Sequence, residues 1–284
     1  MPTDTAQMRY FKTSGGGNDF VAVLDASKLT PSTVRALCAR GLSLGADGAF
    51  ALTRLGSGEP ATVRMDYFNG DGTKADLCVN GTRCAAQLAF HLGWADAAVV
   101  IETGAGRVYA SALGGHDIDL RLPPPASPAK EQTVDEQMGW VIDTGVPHFV
   151  IDWPESLVAA PVWERGPALR QASAFAPAGS NIDYVRFVGS HRIEIRTYER
   201  GVEAETLACG TGVLAAAAVG VQLGRSKLPI TALTSGGFEM TVSGALASNG
   251  SIKEWSLAAD ARILGEGTLL PGAFEIPEPP LWNP

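Results

Sequence analysis

The sequence predicts an α/β protein made of two homologous halves, and three observations support this prediction. Several segments alternate apolar and polar residues, as half-buried β-strands do. Two apolar stretches of helical length each begin directly after a cysteine, Cys78 in the first case and Cys209 in the second. The residues around these cysteines also repeat at one constant offset, which is typical of a duplicated chain.

Composition is typical of a soluble globular protein. The chain has 284 residues, enough for one large domain or two of ordinary size, and 45% of them are apolar against 18% charged. The net charge of −8, with no cluster of Lys and Arg, argues against a nucleic-acid partner. The apolar run over residues 213–223 is far shorter than the roughly 20 residues of a membrane span, so no membrane association is expected.

The protein is expected to act in the cytoplasm with reduced cysteines. Its polar opening, MPTDTAQMRYFKTSGGG, lacks the pattern of a signal peptide. Without a secretory signal, its four cysteines (Cys38, Cys78, Cys84 and Cys209) are predicted to be free thiols. They include no CxxC pair, and the histidines are scattered, which argues against a zinc site.

The first predicted helix lies in the segment LTPSTVRALCARG. Thr30 is a favourable N-cap, Pro31 suits the first helical position, and Gly41 marks the end. Cys38 falls on the apolar face of this helix, so we interpret its thiol as part of the core.

Six further segments have the composition of strands: FVAVLDA, TVRMDYF, AVVIET, DIDLRL, HRIEIRTY and FEMTVSG. The proline-rich stretch PPPASPAKEQ, residues 123–132, is predicted to be a linker between the halves. The expected division is therefore an N-terminal half over residues 8–124 and a C-terminal half over residues 125–264. Residues 265–284 are expected to form a tail that could return to the N-terminal half.

The internal repeat becomes visible when Cys78 is aligned with Cys209. The segment CVNGTRCAAQLAFHLG then lies over CGTGVLAAAAVGVQLG, and a strand, a polar loop, a cysteine, an apolar helix, a strand and a glycine turn follow in the same order. The residues that coincide at this offset are Gly70 with Gly201, Gly81 with Gly212, Leu92-Gly93 with Leu223-Gly224, Thr103 with Thr234, and Gly106 with Gly237. This agreement favours duplication over a chance match of two Ala-rich helices.

A cysteine at a helix N-terminus has a specific chemical meaning. The helix dipole favours the thiolate, and the free backbone N–H groups of the first turn can hold a carboxylate. If two such ends face one carboxylate, a thiolate can remove the α-proton from one side while a thiol returns a proton from the other, which inverts the stereocentre. The backbone amides of Val79, Asn80, Gly210 and Thr211 are placed to stabilise the charge that develops.

Long segments of the chain resemble the diaminopimelate epimerase family. The similar segments are GGGNDFVAVLD, LGADG, YFNGDGTKADLCVNGTRCAA, DTGVPHFV, GSNIDYV and YERGVEAETLACGTG, which together extend over most of the chain. The two cysteine-containing segments are the longest and the most specific of these.

The resemblance implies an enzyme that interconverts LL-2,6-diaminopimelate and meso-diaminopimelate without a cofactor or a metal. Cys78 and Cys209 would be its acid/base thiols, and His148 and Glu199 would tune them. The implied substrate-binding residues are Asn18, Asn69, Val79, Asn80, Asn181, Glu199, Arg200, Gly210 and Thr211. Of these, Arg200 would bind the distal carboxylate of a small-molecule amino-acid substrate through a bidentate contact of its guanidinium.

The resemblance also implies an architecture. It predicts two pseudo-symmetric domains, each a β-barrel-like sheet around a central apolar helix, with the active site in the cleft between them. It further implies a homodimer, and it agrees with the internal repeat and with helices that are apolar on all sides.

Three positions depart from the family pattern and leave other readings open. Val79 follows the first cysteine where glycine is usual, Val146 precedes Pro147 where asparagine is frequent, and Gly48 stands where some members have glutamine. These departures leave room for a cofactor-independent racemase or epimerase of another amino acid.

Three further alternatives belong to other functional classes. The cysteines could form a redox-switch disulfide, or they could join Cys84 and a histidine around a metal. The stretch GLSLG, residues 41–45, fits the G-x-S-x-G pattern of serine hydrolases. That motif needs a strand before it, whereas here a well-capped helix is expected, so we interpret the match as accidental.

Overall fold

The computed structural model describes residues 8–56, 58 and 60–276. Within these residues the chain forms four α-helices and eighteen β-strands, which confirms a mixed α/β fold. They divide into two compact units, the first from residues 8–116 and 261–276 and the second from residues 117–260. The end of the expected C-terminal tail, residues 277–284, lies outside the described residues. No helix in the described part of the chain is both long and apolar enough to cross a membrane.

The first unit is a mixed sheet wrapped around one helix. Its elements are β1 (Arg9–Gly15), β2 (Asn18–Val23), α1 (Pro31–Cys38), β3 (Gly48–Gly56), β4 (Ala61–Asn69), β5 (Lys74–Ala75), α2 (Val79–His91), β6 (Ala98–Thr103), β7 (Gly106–Gly114) and β18 (Arg262–Thr268). The strand order is β18-β1-β2-β3-β4-β6-β7, with β5 also paired to β4; the β2–β3 and β4–β6 pairs are parallel. Helix α2 contacts β18 and β7 at opposite ends of this order, so the sheet curls around it.

The second unit repeats this arrangement. Its elements are β8 (Asp117–Leu122), β9 (Lys130–Val134), β10 (Gln137–Asp143), β11 (Pro147–Asp152), α3 (Val162–Arg170), β12 (Asn181–Gly189), β13 (Arg192–Glu199), β14 (Ala204–Thr206), α4 (Gly210–Gln222), β15 (Ile230–Thr234), β16 (Glu239–Leu246) and β17 (Ile252–Asp260). The strand order is β9-β10-β11-β12-β13-β15-β16-β17-β8, with β11–β12 and β13–β15 parallel. Helix α4 contacts strands from β10 to β17 and forms the centre of this unit.

The pairing register confirms the predicted duplication and makes it exact enough to compare individual positions. Strand β2 pairs with β3 so that Phe20 lies opposite Gly48, and β11 pairs with β12 so that His148 lies opposite Asn181. Each unit then continues through an antiparallel strand and a short strand to a cysteine and its central helix. Positions in β2, β3 and β4 therefore correspond to positions in β11, β12 and β13.

The two central helices are each surrounded by the sheet of their unit, and most of their own side chains are small or apolar and buried. Residues 212–219 of α4 are buried throughout, because a helix surrounded by a sheet has no solvent-facing side. Both helices end in the same way, at a glycine with a left-handed backbone: Gly93 has φ +65° and Gly224 has φ +68°. These glycines are the two that the repeat alignment pairs.

The predicted elements are confirmed with two adjustments. The Thr30 side chain caps α1 by accepting a hydrogen bond from the Thr33 backbone N–H, and all six predicted strand segments contain strands. Helix α1 ends at Cys38, and Gly41 adopts φ +80° in the turn that follows. The linker prediction was wrong, because residues 123–132 lie inside the second unit and residues 130–132 belong to β9. There a two-residue turn with positive φ, at Asp135 and Glu136, joins β9 to β10 in a hairpin.

Candidate active site

Cys78 is the N-cap residue of the central helix of the first unit. Its backbone is extended, with φ −132° and ψ 109°, and its sulfur accepts a hydrogen bond from the Gly81 backbone N–H at 3.4 Å. A cysteine is a poor cap compared with serine or aspartate, so helix stability alone does not explain it. The residue is partly exposed, and its sulfur is not part of a disulfide.

A chain of polar side chains orients Asn18 and Asn80 beside this helix start. The Asn80 side-chain amide donates to the Asn18 oxygen at 2.7 Å, and the Asn18 amide donates to the Asp47 carboxylate at 2.9 Å. At the other end, the buried Arg83 guanidinium donates to the Asn80 oxygen. A carboxylate only accepts and a guanidinium only donates, so this chain determines the orientation of both amides.

Tyr67 lies next to Cys78 and was not identified from the sequence. Burial, followed by the neighbouring Cys78 thiol to which the phenol is hydrogen-bonded, raises the pKa of Tyr67 above its usual range. Gly48 makes room for this ring, because a Cβ at position 48 would lie 2.8 Å from the Tyr67 hydroxyl and 2.7 Å from the Phe68 carbonyl oxygen. Tyr67 therefore occupies the space that a side chain at position 48 would need, which explains why this chain has glycine where some family members have glutamine.

Cys209 has the equivalent position in the second unit, as the N-cap of α4. Its backbone has nearly the same conformation as that of Cys78, with φ −115° and ψ 109°. The residue is 7% exposed, and its sulfur lies 3.4 Å from the Thr211 hydroxyl. Burial, and then the negative charges of Glu199 and Asp183, raise the pKa of the Cys209 thiol well above its usual range.

A buried polar network extends from Thr211 into the core. His148 Nε2 lies 3.0 Å from the Thr211 hydroxyl, and His148 Nδ1 lies 2.7 Å from the Asp183 carboxylate. The second carboxylate oxygen of Asp183 accepts a hydrogen bond from the Thr197 hydroxyl at 2.7 Å. His148 and Asp183 are fully buried and Thr197 nearly so. Burying a charged group in this way is costly unless its partners are complete, which is what the network achieves.

Asn181 connects this network to the loop that carries Arg200. Its side-chain oxygen accepts from the Arg200 backbone N–H at 2.8 Å, and its amide nitrogen donates to the Pro147 carbonyl at 3.1 Å. The same nitrogen lies 3.4 Å from His148 Nε2. The Arg200 guanidinium is half-buried and lies 3.4 Å from the Ala178 carbonyl.

The sequence-predicted residues thus fall into two groups, one in each unit. Asn18, Val79 and Asn80 lie at the start of α2 or bind to it, while Asn69 is exposed and donates to the Thr73 hydroxyl at 3.1 Å. In the second unit the network includes His148, Asn181 and Thr211, and Gly210 opens α4. Glu199 acts on Cys209 through its charge, and Arg200 contributes its backbone N–H to Asn181.

Sequence reasoning missed Tyr67, Asp183 and Thr197. Tyr67 and Thr197 lie in predicted strand segments, and Asp183 lies in the family-like segment GSNIDYV, but none of the three was named as a site residue. Alternation gave a signal for one of them: in NIDYV, Asp183 stands two positions after Asn181 and must point to the same side of β12. A buried strand with an aspartate on its core side is unusual, because an unpaired carboxylate there is strongly unfavourable.

The remaining two cysteines belong to the core, as was predicted for Cys38. Cys38 and Cys84 are buried and are not part of a disulfide, and burial raises the pKa of Cys38 to about 11. A thiol of this kind is a poor nucleophile at neutral pH. In the part of the chain that the structure describes, no three His, Cys, Asp or Glu side chains come together as a metal site would require.

Comparison with known sequences gives one family. The sequence model of the family described as diaminopimelate epimerase matches residues 10–114 and 140–248. The diaminopimelate epimerase of Aquifex aeolicus is 38% identical over 251 residues, covering 83% of this chain and 89% of the relative. That of Gemmatimonas aurantiaca is 39% identical over 250 residues, covering 83% and 87%.

Comparison with solved structures gives the same fold at low sequence identity. A probable proline racemase from Agrobacterium radiobacter K84 aligns with a TM-score of 0.69 and 13% identity, covering 98% of both chains. A hydroxyproline epimerase from Agrobacterium vitis aligns with a TM-score of 0.66 and 14% identity, covering 93% of this chain and 91% of the other.

Proposed function

The chain belongs to the diaminopimelate epimerase family, and on this basis we propose that it interconverts LL-2,6-diaminopimelate and meso-diaminopimelate, with Cys78 and Cys209 as its acid/base groups. The observation that carries this proposal is the equivalence of the two cysteines. Each is the N-cap of a buried central helix, at the same position in two units of the same topology. A cysteine caps a helix less well than serine or aspartate would, so helix stability does not explain either cysteine and a chemical role explains both.

The proposed reaction exchanges one proton at the α-carbon. A thiolate takes the α-proton, so that the C–H bond breaks and an S–H bond forms, and the electron pair moves into the α-carboxylate. The other thiol then gives its proton to the opposite side of the carbon, and becomes a thiolate. The backbone N–H groups at the helix starts, from Val79, Asn80, Gly210 and Thr211, stabilise the carboxylate as its charge increases.

The rest of the substrate is bound by polar side chains. We assign the distal carboxylate to Arg200, whose guanidinium can bind it in a two-pronged fashion. Asn18, Asn69, Asn181 and Glu199 supply further polar contacts. The fixed orientation of Asn18 and Asn181 supports this assignment, since prearranged amides recognise a substrate with little loss of entropy.

The test is incubation of the reduced protein with LL-diaminopimelate in D₂O, followed by NMR of the α-proton and chiral analysis. We expect deuterium at the α-position and formation of the meso isomer. A variant in which both cysteines are alanine, purified in parallel, shows how much of the signal is due to a contaminating enzyme. A folded, reduced protein that neither exchanges the α-proton nor forms the meso isomer overturns the substrate assignment.

A second candidate is the epimerisation or racemisation of another amino acid. Val79 favours it, because a buried valine replaces the usual glycine at the first position of α2, where the α-carboxylate would be held. Val146 adds a second apolar residue where the family often has a polar one. Screening other amino acids for deuteration at the α-carbon distinguishes this candidate from the first.

We further propose that the protein works in the cytoplasm as a homodimer. The cytoplasm is supported by the chemistry, because two catalytic thiols must stay reduced between turnovers. The homodimer is supported by the family resemblance. Light scattering coupled to size-exclusion chromatography tests it, and a monomer at micromolar concentration would contradict it.

A further inference from the structure

One hydrogen-bonded chain runs from the core of the second unit to the sulfur of Cys209. Its members, in order, are Thr197, Asp183, His148, Thr211 and Cys209, and the successive distances are 2.7, 2.7, 3.0 and 3.4 Å. Gly212 allows the carboxylate to approach the helix, since a Cβ at this position would lie 2.6 Å from Asp183 Oδ1. The chain thus passes directly beneath the first turn of α4.

The direction of each hydrogen bond follows from the groups around the His148 imidazole whose donor or acceptor role is fixed. Asp183 accepts at His148 Nδ1, so this nitrogen carries a hydrogen. Asn181 presents its amide nitrogen to Nε2, because its oxygen is already occupied by the Arg200 backbone N–H. His148 Nε2 is therefore a lone-pair acceptor, and the Thr211 hydroxyl donates to it. The oxygen of Thr211 is then left to accept the hydrogen of the Cys209 thiol.

The first unit shows that the fold itself does not require this polar chain. By register, the positions of His148, Asp183 and Thr197 correspond to those of three aromatic residues, Phe20, Phe50 and Tyr67. The Phe20 ring packs 6.4 Å from Phe50 and 6.1 Å from Tyr67. The same three strands thus hold an aromatic cluster beside Cys78 and a hydrogen-bonded network beside Cys209, so a structural requirement does not explain the polar set.

We propose that Thr211 relays the proton of Cys209 to His148, and that Asp183 and Thr197 are positioning residues that hold His148 in the tautomer able to receive it. This inference rests on the proposed role of Cys209 as an acid/base group. In the step, the S–H bond breaks as a hydrogen–Oγ bond forms on Thr211, and the original Thr211 O–H bond breaks as an N–H bond forms at His148 Nε2. The products are a Cys209 thiolate that accepts from Thr211 and an imidazolium beside Asp183. The reverse step restores the starting state.

The relay answers a difficulty that burial creates for Cys209. Cys209 is 7% exposed and has two carboxylates near its thiol. Loss of the proton to bulk water would therefore leave a buried negative charge close to two others, which is unfavourable. Transfer to His148 instead leaves the thiolate and the imidazolium as an internal ion pair. Thr211 exchanges its donor and acceptor roles, so its hydrogen bonds to Cys209 and His148 are kept, and only the 3.4 Å contact of the Asn181 amide with Nε2 is lost.

The experiment measures the alkylation rate of Cys209 by iodoacetamide in the full-length protein without substrate, with mass spectrometry separating its peptide from that of Cys78. Thr211→Val removes the hydroxyl at constant shape, and Thr211→Ser keeps it. Thr82→Val is the matched control: it makes the same change in the first turn of α2, where the hydroxyl donates to the Cys78 carbonyl and the repeat-equivalent residue is Val213. Circular dichroism confirms that each variant is folded.

We expect T211V to slow alkylation of Cys209 roughly tenfold or more, as removal of a hydrogen bond to a charged group does, while T211S and T82V stay within about threefold of the parent.

The substitution Asp183→Asn distinguishes the two possible roles of this carboxylate more sharply. If Asp183 acted only through its charge, its removal would favour the thiolate and speed alkylation, whereas loss of the positioning role slows it. Faster alkylation in D183N, or an unchanged rate in T211V, overturns the relay. Since no substrate is present, failure of the proposed reaction is detected separately, by the D₂O exchange of the parent protein.

Discussion

Cys78 and Cys209 begin equivalent helices but have different neighbours. Beside Cys78 lies a phenol, and the residue is partly exposed; beside Cys209 lie a threonine hydroxyl and two carboxylates, and the residue is buried. The proposed two-base epimerisation needs one thiolate and one thiol at the start of each turnover. The difference in neighbours therefore favours Cys209 as the group that is protonated in the free enzyme.

Replacement of either cysteine by serine tests the two-base reaction directly. A serine alkoxide is far harder to form than a thiolate, so Cys78→Ser and Cys209→Ser should each lower kcat by roughly 100-fold or more. The measurement is the rate of meso isomer formation, with thermal unfolding to show that the fold is intact. Parental turnover in either variant would remove that cysteine from the mechanism.

The charge of Glu199 gives a prediction about pH. Because a carboxylate next to a thiol disfavours the thiolate, Glu199→Gln should lower the pKa of Cys209. The midpoint of the pH dependence of Cys209 alkylation should then move to lower pH. Glu194→Gln is the matched control, since Glu194 lies on the same strand, β13, and pairs with Arg186 instead. An equal shift in both variants would mean that the effect is general to surface charge.

At the scale of elements, the two helix starts differ in how closely the core approaches them. A methyl group at Gly212 would lie 2.6 Å from the Asp183 carboxylate, whereas one at Gly81 would lie 3.1 Å from the flexible end of Met65. Glycine is thus required by a fixed polar neighbour in α4 and only by a movable apolar one in α2.

Alanine at these two positions should therefore have unequal effects. Gly212→Ala is expected to destabilise the protein by about 1–3 kcal/mol, as overpacking does, and to displace Asp183. Gly81→Ala should change the free energy of unfolding by less than about 1 kcal/mol, because the better helix propensity of alanine offsets a small rearrangement. Urea denaturation measures both. Equal losses would indicate that Asp183 moves as readily as Met65.

Nine of the 22 helices and strands in the described residues, three helices and six strands, were predicted from local sequence patterns, because each is specified by its own residues. Thr30 and Pro31 start α1, and the alternation in DIDLRL gives β8 without any knowledge of its partner. The two cysteines stand out because the repeat compares one half of the chain with the other. Strand β9 was not predicted because prolines precede it in the sequence. Its strand conformation depends on the hairpin that it forms with β10.

The buried network is harder to predict because no member is unusual on its own. His148, Asp183 and Thr197 lie on three strands, and they meet only through the sheet register. An isolated histidine or threonine in a strand segment is most often structural. The register that joins them, and the aromatic residues at the equivalent positions of the first unit, are visible only in three dimensions.

At the scale of the whole molecule, the two units differ in how the chain completes them. The second unit is one continuous stretch, residues 117–260, whereas the first needs β18 from the end of the chain. Strand β18 pairs with β1 from Arg9↔Thr268 to Ser14↔Arg262, and it contacts α2. Strand β1, which contains the buried Phe11, therefore pairs with a strand that lies about 250 residues later in the sequence.

A chain that ends at residue 260 tests this dependence. Without β18, the amides of β1 and α2 should lose protection from hydrogen exchange, because β1 becomes an unpaired edge and α2 loses one of its covering strands. Amides of β12 and α4 should stay protected. A chain ending at residue 276 is the control, and protection of β1 in the shorter chain would contradict the prediction.

The return of β18 to β1 has a consequence for how the protein is made. Translation delivers residues 117–260 in full before β18 leaves the ribosome, so the second unit can fold while the first still lacks an edge strand. At roughly 5–20 residues per second, β1 stands without that partner for about 13–50 s. Over that interval its open edge is available to other nascent chains. The half of the protein that is synthesised first is thus the half that is completed last.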